Sequence, residues 1–360
     1  SGSTDARTVA VELPAVEVPI TTIQPPMRHD DLLPMLVGGW LMWRRPLKVD
    51  AWVSRIALGQ AGLTASQVET PEGGLTVWEG GTGPAMVLLH GAGDQAGAWA
   101  RAVRPLVEQY RLLIPDLPGH WKSAPRKGPL GVDQVLAGLE AVVDSRCEGE
   151  RPVLVGNSLG AWVSFLYARE HPDRVARIVA VNGGPLLEPE PKVNLFPSNR
   201  DEARETMRGL LGPNTPMPPG FVLDDVMRHA RTGPAARIAE TAADMGPYLL
   251  DGRLGEVTVP VDLVWGDADQ LLTLAYANRM IEGLPAVRLS VVKGCGHLPQ
   301  RECPDRFLEV FQKVMAQPPP LPAPEPGAEE AEEAGRAILA LTIKDLPVRK
   351  VMVVPAAEIA

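Results

Sequence analysis

Along the chain, short apolar runs alternate with longer stretches of helical character. The runs Ala85-Met86-Val87-Leu88-Leu89, Leu112-Leu113-Ile114, Pro152-Val153-Leu154-Val155, Val261-Asp262-Leu263-Val264 and Val287-Arg288-Leu289-Ser290-Val291-Val292 have strand length. Helix-like segments such as Ala161–Ala168 follow them, and the alternation predicts an α/β fold, a mostly parallel central sheet flanked by helices. Between Gly183-Gly184-Pro185 and Val259-Pro260 the alternation stops. That stretch carries helix-like segments beginning at Asp201 and Asp224 between Pro-rich turns. An insertion of this kind sits over the strand ends as a helical cap, and its motion can gate turnover. Its apolar positions, among them Leu195, Phe196, Met207, Leu210, Phe221 and Met227, could line a pocket or serve as the helices' own core.

Polar clusters stand at the carboxyl ends of the predicted strands, where open α/β sheets place ligands and chemistry. Gly156-Asn157-Ser158-Leu159-Gly160 joins one run to a helix, a turn too tight for side chains on either flank of Ser158. His90-Gly91-Ala92-Gly93, Asp116-Leu117-Pro118-Gly119-His120, Trp265-Gly266-Asp267-Ala268-Asp269 and Gly294-Cys295-Gly296-His297 close the others. As a set and in this order, these motifs resemble those of the alpha/beta-hydrolase family over roughly residues 70–316. The cap, with Phe196-Pro197-Ser198 ahead of its first helix, is similar to those of monoacylglycerol lipases and of carbon-carbon bond hydrolases that cleave ring-fission products.

The resemblance implies that Ser158 is the nucleophile, His297 the general base and acid, and Asp269 the carboxylate that orients the imidazole. It also implies an oxyanion hole formed by the backbone N–H groups of Leu159 and Ala92. Two aspartates compete for the acid position. The family's Gly-x-x-Asp spacing from Gly266 selects Asp269, and Asp267 reads as a turn or capping residue. His90 and Asp116 are expected to buttress their loops. Trp121 stands where the family usually has glycine, either narrowing the mouth of the site or covering a surface loop, and Ala161 replaces a common second glycine after the elbow.

Composition adds bounds to this picture. A chain of 360 residues with 45% hydrophobic content has ample material for one large core, and its formal net charge of −9 argues against a nucleic-acid partner. Cys147, Cys295 and Cys303 offer neither a paired framework nor zinc-ligand spacing, and Cys295 reads as a packing residue. No metal or organic cofactor is called for. The expected organisation is an N-terminal arm and accessory apolar segment over 1–69, a hydrolase core over 70–184 and 256–316, and a cap over 185–255. A Pro/Glu-rich linker over 317–335 and an apolar tail over 336–360 follow.

The uncharged stretch 32–43, ending in Arg44-Arg45, is too short to span a bilayer, which takes about 20 residues. It reads either as an accessory segment packed on the core or as a lipid-touching segment with interfacial tryptophans. Ser1-Gly2-Ser3 has the composition of a cloning remnant, and the expected location is cytoplasmic or peripheral to a membrane. Three functions follow: a serine carboxylic ester hydrolase acting on a small or medium acyl ester; a carbon-carbon hydrolase or acyltransferase using the same triad; or a non-catalytic binding protein on the hydrolase fold. The sequence leaves the acyl chain length and the oligomeric state open.

Overall fold

One eight-stranded sheet organises the residues described by this computed structural model, 39–322: β1 (Thr64–Thr70), β2 (Gly73–Gly80), β3 (Ala85–Leu89), β4 (Arg111–Pro115), β5 (Val153–Asn157), β6 (Arg177–Val181), β7 (Val261–Gly266) and β8 (Val287–Val292). In space they run β1-β2-β4-β3-β5-β6-β7-β8; β2 lies antiparallel to β1 and β4, and every other pair is parallel. The sheet thus begins at Thr64, inside the segment set apart as an N-terminal arm. The polar sequence of β1 gives no apolar run because this edge strand buries only Val68. Residues 1–38, which include the start of the apolar stretch 32–43, lie outside the described residues, as do the linker from 323 onward and the tail.

Helices cover both faces of the sheet: α1 (Pro46–Gln60), α2 (Val103–Val107), α3 (Val132–Arg146), α4 (Leu159–Glu170), and, after the cap, α8 (Leu274–Gly283), α9 (Pro299–Glu302) and α10 (Pro304–Ala316). Successive residues of β3 therefore enter opposite cores. Val87 and Leu89 pack with Leu139, Phe165 and Tyr276, and Met86 and Leu88 with Leu58, Trp99, Phe307 and Phe311. Because both faces are dry, the central strands are apolar at nearly every position instead of alternating. Each buried aliphatic side chain contributes about 1.5–3 kcal/mol, and truncating one such as Leu88 to alanine costs about 2–5 kcal/mol.

Asp262 is the charged exception within β7. Fully buried, it accepts from Arg177 Nε and, at 2.7 Å, from Arg288 Nε, while Arg177 Nη2 donates to Val314 O at 2.9 Å and so holds the end of α10 on the sheet. At the opposite end of the sheet, α1 inserts Arg55 beneath the loop after β4. Its Nη2 donates to both carboxylate oxygens of Asp116 at 2.6 and 2.8 Å, and Ala96 N donates to Asp116 Oδ1 at 2.8 Å. Trp121 lies over this guanidinium at 4.0 Å. Its place is therefore the covering of a buried ion pair. Removing one partner of such a pair leaves an uncompensated charge and costs about 3–5 kcal/mol.

The inserted helical region, consistent with a cap, comprises α5 (Arg200–Leu210), α6 (Gly220–Thr232) and α7 (Pro234–Ala239). The Asn199 side chain caps α5 by accepting from Asp201 N and Glu202 N. Ala203, Leu223 and Met227 form a separate small core with Met207 against it, so Met207 and Met227 serve the cap's own packing, while Leu195 and Phe196 are exposed.

One cysteine reading is corrected. Cys295 is disulfide-bonded to Cys303 rather than being a simple packing residue, because the chain reverses after His297 and brings the two Cα atoms to 6.2 Å. Cys147 is free and buried. Among the described residues, no helix is long and apolar enough to cross a membrane.

Candidate active site

The turn from β5 into α4 holds Ser158 at φ 53°, ψ −114°, a left-handed conformation that costs a non-glycine residue about 1–3 kcal/mol. The surroundings enforce it. Ser158 N donates to Val181 O at 3.1 Å, and Trp162 N donates to Ser158 O at 3.0 Å as the first turn of α4 forms. No side chain fits on the flanking glycines: a Cβ on Gly160 would lie 2.4 Å from Leu89 O, and one on Gly156 2.2 Å from the carbonyl carbon of Gly160. Gly183 is equally constrained, since a Cβ there would meet Ser158 N at 2.5 Å. The result is a half-buried serine held on a rigid turn.

His297 and Asp269, 4% and 3% exposed, come from the loops after β8 and β7 and meet with Nδ1 2.8 Å from Oδ2. An ionised carboxylate only accepts, so this contact places the imidazole proton on Nδ1 and leaves Nε2 with a free lone pair. Asp269 is itself fixed: Oδ1 accepts from Leu271 N at 2.8 Å and Leu272 N at 3.0 Å, and Oδ2 accepts from Asn182 Nδ2 at 2.8 Å. Asn157, the residue before the serine, donates from Nδ2 to His297 O at 3.0 Å, which ties the elbow to the histidine loop. Asp267 is exposed and does other work. Its Oδ1 accepts from Gly294 N at 2.6 Å, bridging the loops after β7 and β8.

Ala92 lies in the loop after β3 and Leu159 opens α4, where the first N–H groups lack intrahelical acceptors. Gly91 brings that loop to the serine: a Cβ on it would lie 3.2 Å from Ser158 Cβ. Two buried histidines shape the loop. His90 donates from Nδ1 to Gly91 O at 2.8 Å and accepts at Nε2 from Leu117 N at 3.0 Å. His120 donates to Pro118 O at 2.9 Å and accepts from Gly93 N at 3.0 Å. Burial lowers the His90 pKa from 6.5 to about 3 and drives that of His120 well below the ordinary value. Both rings are neutral supports of the loop.

Three further residues draw these loops together; Glu302, followed by Pro304 after the Gly-x-Gly-His turn, fits the family pattern in sequence, while Asn182 and His229 escape local sequence reading. Asn182, at φ 44°, links Asp269 to the sheet by also accepting from Gly266 N at 2.9 Å. Glu302 reaches from α9 to accept from Gly296 N and Gly212 N, each at 2.6 Å, and from Thr215 Oγ1 at 2.9 Å, fastening the cap to the turn before His297. His229 of the cap donates from Nε2 to Gly93 O at 2.7 Å and so touches the loop after β3. Among the described residues, Glu140, Glu170 and His171 also stand close enough to share an ion, but they lie at the far end of α4, about 18 Å of helix from Ser158.

The pattern of the alpha/beta hydrolase family matches residues 86–310. The chain is 31% identical over 238 residues to the 2-hydroxy-6-oxononadienedioate/2-hydroxy-6-oxononatrienedioate hydrolase of Cupriavidus pinatubonensis, covering 60% of this chain and 81% of that one. It is 27% identical to the 2-hydroxy-6-oxo-6-phenylhexa-2,4-dienoate hydrolase of Burkholderia cepacia, covering 66% and 90% respectively. Among solved structures, a membrane phospholipase A described as a bacterial virulence factor superposes with a TM-score of 0.66 at 24% identity, over 79% of this chain and 96% of its own. A putative lipase from Acinetobacter baumannii does so at 0.63 and 18%, over 74% and 95%. Those two likenesses establish the fold alone. With its sheet order, its inserted helical region and the family match over most of its length, the chain belongs to the alpha/beta-hydrolase family.

Proposed function

We propose that this chain is a serine hydrolase in which Ser158 Oγ attacks a substrate carbonyl. His297 Nε2 takes the hydroxyl proton and later returns it to the leaving group, while Asp269 stabilises the imidazolium. The backbone N–H groups of Leu159 and Ala92 receive the developing oxyanion, and loss of one such donor is worth about 10²–10³ in rate. Water then cleaves the acyl-enzyme by the same proton path in reverse. The observation that carries this reading is the 2.8 Å contact between His297 Nδ1 and Asp269 Oδ2, on a loop joined to the serine elbow through Asn157.

The curated relatives direct the choice of bond. Both are hydrolases of 2-hydroxy-6-oxo dienoates, which supports attack on a ketone and cleavage of the adjacent carbon-carbon bond. A carbon leaving group departs only when its charge is delocalised, so the 2-hydroxy-dienoate must first tautomerise, its 2-hydroxyl proton being lost and a proton gained at C5. The C5 carbanion then released on cleavage is conjugated through C3=C4 with the 2-oxo group and is protonated as it leaves. Ester hydrolysis is the second reading. It uses the same attack by Ser158, with an alcohol leaving group that needs no delocalised charge.

The deciding experiment compares wild type and Ser158→Ala on 2-hydroxy-6-oxo-6-phenylhexa-2,4-dienoate and on p-nitrophenyl butyrate, with intact mass after fluorophosphonate treatment. Turnover of the dienoate and a single adduct, both lost in the variant, are expected. Turnover confined to the ester would select the second reading. No adduct and no turnover by folded wild type would leave a binding protein on the hydrolase fold.

A further inference from the structure

The buried side of α1 consists of Pro46, Ala51, Arg55 and Leu58, so its opposite side should be polar. It is not. Trp52 is 62% exposed, Val53 53% and Ile56 41%. The helical residues 39–44 just before it add Trp40 at 60% and Trp43 at 64%, one turn apart on one side. Of the thirteen large apolar side chains exposed among the described residues, seven fall between positions 40 and 56. A soluble surface rarely gathers them so densely.

Cations share this surface. Trp40, Arg44, Arg45 and Arg228 line a cavity of about 320 Å³, and the Arg44 guanidinium lies 5.5 Å from the Trp40 ring centre. Arg228 is neutralised by Asp225, but Arg44, Arg45 and Lys48 form no ion pair among the described residues. The nearby acid, Asp50, is turned to Arg301 at 2.5 Å. A chain of net charge −9 therefore carries a locally positive, tryptophan-rich face. Tryptophan with arginine at its edge is the composition that partitions to the headgroup level of a bilayer.

We propose that this face docks on an anionic phospholipid surface, with Trp40, Trp52 and Ile56 entering the headgroup layer and Arg44 and Arg45 receiving phosphates. The charge complementarity selects this occupant over a second copy of an acidic chain. Because Trp43 stacks on Phe221 of α6 at 5.0 Å and Leu47 N donates to Asp225 Oδ2 at 3.1 Å, the docked surface adjoins the cap. The inference does not depend on which bond the enzyme cleaves.

The test is cosedimentation of the full chain with vesicles of phosphatidylcholine alone and vesicles in which phosphatidylglycerol replaces a third of it. Expected are binding to the mixed vesicles, weak binding to phosphatidylcholine, and release at about 1 M salt, where the screening length falls to about 3 Å. Arg44→Gln with Arg45→Gln should lower partitioning on the order of tenfold or more. Trp52→Gln with Ile56→Ser should weaken binding to both vesicle types without changing the melting temperature, since both side chains are exposed. Absence of wild-type binding to the mixed vesicles would overturn the proposal, as would binding by both double variants as strong as that of wild type. So would light scattering that finds a dimer broken by Trp52→Gln, with no vesicle binding by either form.

Discussion

Asn182 Nδ2 and His297 Nδ1 approach the same oxygen of Asp269, each at 2.8 Å. One carboxylate oxygen is thus pinned from the sheet side by the asparagine and presented to the imidazole on the other. Because Asn182 sits at φ 44°, glycine can replace it without backbone strain while removing the side chain. Asn182→Gly is expected to lower kcat by about ten- to a hundredfold, the effect of loosened positioning, with KM little changed. Steady-state kinetics on whichever substrate is turned over would check it. A drop in KM-dependent binding with kcat intact would assign Asn182 a different role.

Asp267 and Asp269 differ by two positions and by everything around them. Asp269→Asn replaces an acceptor facing His297 Nδ1 by a group that can present N–H there, favouring the wrong tautomer. A loss of about 10³–10⁴ in kcat is expected. Asp267→Asn keeps an oxygen for Gly294 N and should leave kcat within a few-fold of wild type. Parallel rate measurements on the two variants separate these expectations, and the reverse ranking would move the acid to Asp267.

Ser158, His297 and Asp269 could be nominated as candidates because each follows an apolar strand run inside a short motif, and the motifs, taken together and in order, resemble those of the alpha/beta-hydrolase family. Asn182 also ends an apolar run and precedes Gly183-Gly184, yet nothing local gives it a role. Its importance comes from a partner 87 residues away, across a pairing of β6 with β7 that only the folded sheet creates. Arg55 is hidden for the same reason, as an arginine within a helix whose acid, Asp116, is 61 residues on. The central strands are readable because burial on both faces makes them uniformly apolar. β1 is not, since an edge strand may be polar on most positions. The cap helices are visible as helices, but their contacts through Glu302 and His229 depend on docking. The Cys295–Cys303 bridge depends on a chain reversal that cysteine counting does not see.

Glu302 joins the cap to the turn before His297 by accepting from two backbone N–H groups and one hydroxyl. Glu302→Ala orphans all three. Charge-assisted hydrogen bonds of this kind are worth about 1.5–3 kcal/mol each at most, and water will replace part of the loss, so a net destabilisation of about 2 kcal/mol is expected. Urea unfolding would measure it. Glu302→Gln, which still accepts, should recover roughly half, whereas identical midpoints for alanine and wild type would show that the cap is held elsewhere.

The buried histidines make stability depend on pH with a definite sign. His90 titrates at 6.5 in an unfolded chain and at about 3 in the fold, because burial opposes its charged form; His120 is lowered for the same reason. Below 6.5 the unfolded state binds protons that the native state refuses, so stability rises with pH through this window. The His90 contribution is complete above about 6.5 and is lost progressively on acidification toward about 3, with a limiting slope near 1.4 kcal/mol per pH unit; that of His120 has the same sign. Carboxylates titrate in the same range, and Asp116, raised by burial, acts in the opposite sense. The histidine share is therefore isolated by difference. His90→Asn should be less stable than wild type at pH 7.5, since Leu117 N and Gly91 O lose their partners, yet its melting temperature should fall less steeply between pH 6.5 and 4.5. Parallel melting curves for wild type and variant across that range would mean that His90 takes up its proton without unfolding the loop.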